Sequence, residues 1–104
     1  MDVERLLKKC EYLKEGLAHC IPDSVVRVSL VKDEDIICVI ISKLPMRYEH
    51  HYDVEDFYRA NIENIFTFIM RDFIEELLKL FIDDPSYATV KTFFANKEVQ
   101  EEIG

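Results

Sequence analysis

Residues 46–56 read MRYEHHYDVED, and how they are assigned decides both the number of strands and the start of the main helix. In an extended chain successive side chains alternate between two faces. Tyr48, His50 and Tyr52 would then share one face and His51 would point to the other. The stretch reads either as a third strand over residues 46–52 or as a plain connection, and both readings stand. At Asp53 a helix begins. Aspartate is a good N-cap, and Glu55 and Asp56 fall in the first turn, where the helix dipole favours acids.

Downstream of that cap no glycine or proline occurs until Pro85. Residues 54–82 could form one helix of about 43 Å at 1.5 Å per residue, longer than the roughly 30 Å diameter of a small domain. The helix therefore either projects from its domain or breaks, and residues 64–70 are where a break would fall, since aromatic and β-branched side chains lower helix propensity there. Its apolar side chains, from Tyr58 and Ile62 to Leu80 and Phe81, spread over about half the circumference, wider than the roughly 100° one packing surface needs. Phe57 and Phe68 fall outside that arc and align with Asn61 and Asn64 in a second stripe.

Upstream, Val3, Leu6, Cys10, Leu13, Leu17 and Cys20 recur at spacings of three and four, the signature of an amphipathic helix that Pro22 ends. SVVRVSLVK (residues 24–32) alternates, with Val26, Val28 and Leu30 on one side. A polar turn at residues 33–35 leads into IICVIISKL (residues 36–44), which is almost continuously apolar and reads as a strand buried on both faces or nearly so. After Pro85 a short helix carries Tyr87, Val90, Phe93 and Phe94, and a charged tail follows. The predicted fold is a single α+β domain of 104 residues in the order α-β-β-α-α, an antiparallel hairpin packed against a long amphipathic helix and flanking helices.

Composition excludes several functions. With only two glycines, Gly16 and Gly104, the chain has no phosphate-cradling or dinucleotide-binding loop. The net charge is −8, and residues 33–104 hold sixteen acids against seven bases. Such a surface does not neutralise phosphates, so no direct nucleic-acid binding is expected. No apolar run is long enough to span a bilayer, and the start MDVERLLKK lacks the apolar core of a signal peptide. Cys10, Cys20 and Cys38, an odd number, then read as free thiols in a reducing cytoplasm.

His50 and His51, with Glu49, Asp53 and Asp56, offer metal-ligand donors. Adjacent residues of an extended chain point apart, however, and do not share one ion; the i, i+4 histidine spacing of a helical zinc site is absent. Cys10, His19 and Cys20 add donors without a ligand spacing. Cys38 and His50 could meet as any cysteine and histidine could, but a thiol inside an apolar strand is inert. No catalytic residue, metal or cofactor is expected. The expected function is non-catalytic protein association, first of all as a homodimer built on the 54–82 helix. Phe57, Phe68, Met70, Ile74 and Phe81 would supply apolar contact, and Asn61 and Asn64 would fix the register as buried amides do in paired helices. Small accessory and assembly proteins of viruses and phages share this build, an analogy of form alone. Two alternatives follow from the charge and the histidines. One is an acidic decoy that fills a basic or nucleic-acid-binding groove of a partner protein with Glu75, Glu76, Asp83, Asp84, Glu101 and Glu102. The other is a small metal-dependent enzyme centred on His50 and His51.

Overall fold

The computed structural model describes residues 1–83. The expected last helix and tail, including Asp84, Glu101 and Glu102, lie outside the described residues. The elements are α1 (Val3–Cys20), β1 (Val25–Val31), β2 (Ile36–Lys43), β3 (Met46–Asp53), α2 (Val54–Arg59) and α3 (Ile62–Asp83), a mixed α+β order with three strands. The chain's contacts cluster into two compact units, Met1–Asp72 and Phe73–Gly104.

In the first unit, Asp2 caps α1 by accepting from the Arg5 amide at 3.2 Å. Leu6, Cys10, Leu13 and Leu17 are buried as the periodicity requires. The two ends of that stripe differ: Val3 and Cys20 are exposed, because a helix outruns the core at its termini. Ile21 turns into extended backbone, and β1 follows. The sheet is antiparallel in the order β1-β2-β3, so the MRYEHHYD stretch is a strand. A tight turn at Leu44–Pro45, whose peptide bond is cis, precedes it, and Met46–Asp53 pair along β2 over their full length. The β1–β2 loop is closed by the Glu34 amide donating to the Val31 carbonyl at 3.2 Å, and Asp35 takes the left-handed conformation at φ 56°. Aspartate is one of the few residues that tolerate this region at modest cost, which is why the loop closes without glycine.

One face of the sheet forms the core. Val26, Ile37, Val39, Ile41, Met46 and Tyr48 point into it together with Leu6, Leu13 and Leu17 of α1. Residues of the other face are exposed or half-exposed, except Cys38. The central strand β2 is thus sealed on one side and only partly covered on the other, less than its apolar run suggested.

The helix expected over residues 54–82 is broken, and the break lies at Ala60–Asn61 rather than at 64–70. Two groups enforce it. The Asn61 side chain accepts from the amides of Glu63 at 2.8 Å and Asn64 at 3.3 Å, so it starts a new helix. Lys9 of α1 donates to the Tyr58 carbonyl at 3.0 Å and also to that of Ala60. In a continuous helix the Tyr58 and Ala60 carbonyls would accept from the amides of Ile62 and Asn64. The lysine satisfies them instead. Propensity pointed to the aromatic segment, but α3 continues through it unbroken because Ile65 and Ile69 are buried there.

Candidate functional site

β3 distributes two sets of polar and aromatic side chains to the two faces of the sheet. On the core side Tyr48, His50 and Tyr52 line up, as the alternation predicts. The Tyr48 hydroxyl donates to the Asp72 carboxylate of α3 at 2.7 Å. The His50 ring lies 4.7 Å from Tyr52 and 5.1 Å from Phe68, and Tyr52 lies 5.7 Å from Phe57. Burial lowers the His50 pKa, opposed by the charge of Asp72. Burial raises the Tyr52 phenol to about 12, and its hydroxyl is buried with no hydrogen-bond partner among the described residues. This is a packed aromatic cluster with one polar anchor. The His50 ring packs edge-on to Tyr52 and tilted against Phe68.

On the opposite face β3 presents Arg47, Glu49 and His51. His51 lies across the ladder from Cys38, and Glu49 across from Ile40. A carboxylate oxygen of Glu49 is 2.6 Å from His51 Nε2, and its other oxygen is 2.8 Å from Arg47. These two partners hold the Glu49 carboxyl below its usual range, His51 contributing most. Cys38 is only 8% exposed, and burial pushes its thiol up. The register sets Cys38 opposite His51, while His50 lies opposite Val39. Among the described residues Cys38, Glu49 and His51 are the only three possible metal ligands that converge. Cys10 is buried on α1, while His19 and Cys20 line a groove of about 560 Å³ with Tyr12, Ile62 and Phe66. Gly16 sits under that groove, where an added Cβ would lie 3.4 Å from the Phe66 ring.

The residues expected at an association surface separate into different environments. Phe57 is 0% exposed and belongs to the core of this chain, so it offers nothing to a partner. Phe57 falls off the apolar arc of one continuous helix because α2 and α3 are separate helices. Asn61 caps α3, and Asn64 is exposed on this chain. Phe68, 46% exposed, leans on His50 and Tyr52. Met70 is half-buried, and Phe81 lies on α3 outside the described side chains. Of the acidic decoy set, Glu75 and Glu76 are exposed on α3, and Glu76 pairs with Lys79 at 3.2 Å. Asp83 is the last residue of α3.

Ile74, also expected at that surface, belongs to an apolar line whose other members, Leu78 and Ile82, the sequence reading did not single out. In the second unit Ile74, Leu78 and Ile82 are 36%, 43% and 73% exposed, and they fall one per turn on one side of α3. Phe73 and Leu77, their preceding neighbours, are buried. The signal was present as the i, i+4, i+8 spacing, hidden because half of the helix circumference is apolar. Among the described residues no helix is long and apolar enough to cross a membrane. No known protein family, curated protein or solved structure matches this chain.

Proposed function

We propose that this protein is a non-catalytic association module that pairs with a second copy of itself through the exposed face of α3. The observation that supports this reading is the Ile74–Leu78–Ile82 line, exposed from 36% to 73%. Single exposed aliphatic residues need no explanation, whereas a contiguous apolar patch marks a contact surface. An i, i+4, i+8 line is the form in which one helix presents itself to another. The line is also symmetric about Leu78, with an isoleucine four residues to either side. A twofold axis at Leu78 sets that residue against its own copy, and an antiparallel partner then brings Ile74 against the partner subunit's Ile82. An isologous interface requires this kind of self-complementarity. The net charge of −8 opposes pairing. At physiological ionic strength, screening over about 8 Å confines that repulsion to short range.

Sedimentation equilibrium on the full chain tests the reading. The wild type is expected to be a dimer, and Leu78→Glu a folded monomer, because a carboxylate on the axis would be buried without a partner. Raising the salt should leave the apolar dimer intact. A decoy for a basic protein would instead lose its target steeply with salt. A wild type that stays monomeric at high concentration in both low and high salt refutes the self-association.

A further inference from the structure

We propose that Cys38, Glu49 and His51 bind one divalent transition-metal ion of the zinc class on the exposed face of the sheet. The proposal stands apart from the dimer, since all three residues lie in the first unit and none is on α3.

The geometry follows from strand pairing. Glu49 and His51 are two residues apart on β3, so they share a face. Cys38 is the cross-strand partner of His51 on β2. One ligand atom from each residue, the cysteine sulfur, a carboxylate oxygen and a ring nitrogen, already lies within 4.8 Å of the other two. A tetrahedral ion with bonds of about 2.0–2.3 Å holds its ligand atoms roughly 3.3–3.8 Å apart. The Glu49 oxygen and His51 Nε2, 2.6 Å apart, would separate to admit the ion between them.

The donor set is also chemically coherent. Sulfur, imidazole and carboxylate together are what a borderline-soft ion prefers, and three protein ligands leave a fourth position for water. Glu49 is ionised at neutral pH, and Arg47 occupies one carboxylate oxygen while the other faces His51. That arrangement orients the carboxylate in the way outer-shell partners orient metal ligands. Binding breaks the Cys38 S–H bond, forms the sulfur–metal bond and releases one proton to solvent. His51 donates a ring-nitrogen lone pair, exchanging its contact with Glu49 for the ion. The competing view is that Arg47–Glu49–His51 is a surface ion-pair chain and Cys38 a packing residue. A surface chain of that kind has no use for the sulfur. In a metal site it is the third protein ligand.

Cobalt separates the two views, because a thiolate-bound cobalt ion absorbs by charge transfer in the near ultraviolet. The full chain, stripped with a chelator, is titrated with cobalt(II) and then with zinc(II). One equivalent of cobalt should raise the charge-transfer band and zinc should displace it. The band should be lost in Cys38→Ser and in His51→Asn, and kept in Cys20→Ser and His50→Asn. His51 is exposed, so His51→Asn reports on binding even if the buried Cys38→Ser destabilises the fold. A wild type without the band, or a band that survives His51→Asn, overturns the site.

Discussion

The Lys9 ammonium donates to the Tyr58 carbonyl at 3.0 Å, across forty-nine residues of sequence. It also reaches the Ala60 carbonyl, so one side chain of α1 terminates α2 and fixes where α3 begins. Burial lowers the Lys9 pKa, with the Arg5 charge adding to the effect. Replacing Lys9 with methionine keeps much of the aliphatic stem and leaves the two carbonyls without this donor. A hydrogen bond from a charged group contributes about 1.5–3 kcal/mol, and a loss in that range is expected in urea unfolding. Amide exchange near residues 61–65 should quicken as well. An unchanged unfolding midpoint would mean that the joint is held by packing alone.

Asn61 and Asn64 should behave differently. Asn61→Ala removes the cap of α3 and should cost about 1 kcal/mol, while Asn61→Asp should retain most of the stability. Asn64→Ala touches an exposed helix position and should stay within about 0.5 kcal/mol. Equal losses at both sites would show that the amides act together, as paired-helix register residues do.

Tyr48 and Tyr52 offer a second contrast on one strand. The Tyr48 hydroxyl anchors Asp72 at 2.7 Å, and the Tyr52 hydroxyl is buried without a partner among the described residues. Tyr48→Phe should therefore destabilise by about 1.5–3 kcal/mol, the range for hydrogen bonds to charged groups. Tyr52→Phe removes an unsatisfied group and should stabilise by roughly 1 kcal/mol. Thermal unfolding of the two variants side by side decides this, and a loss at Tyr52 would reveal a hydroxyl partner.

The three thiols should label in two classes. Cys20 is exposed and should react quickly with a maleimide, while Cys10 and Cys38 are buried and should react slowly. Burial holds the Cys10 thiol above its ordinary 9.0. Its protonated form is thus favoured by folding, so the stability it adds is complete below pH 9.0 and is lost as pH rises through the folded value. Cys10→Ala should flatten that alkaline decline. Fast labelling of Cys10 in the native protein would contradict the packing of α1.

Short-range pattern alone accounts for the local elements of this chain. The a/d stripe of α1, the alternation of β1, the apolar run of β2 and the Asp53 cap all depend on residues within one or two turns of each other, so they are legible in one dimension. The split of Tyr48, His50 and Tyr52 from His51 was legible for the same reason, since alternation is a property of the strand alone. Tertiary structure decided the rest. Whether residues 46–52 pair with β2, and in which register, depends on the tight Leu44–Pro45 turn and on burying Met46 and Tyr48 while Glu49 stays outside. That register brings Cys38 to His51, a contact no spacing rule contains. The helix break was likewise placed by Lys9, a donor from the far end of the unit, acting with a local asparagine. With the break comes the reassignment of Phe57 to the core and the emergence of Ile74, Leu78 and Ile82 as the uncovered line. Periodicity says which side chains share a face; only packing says which face is covered, because burial depends on what other segments bring to it.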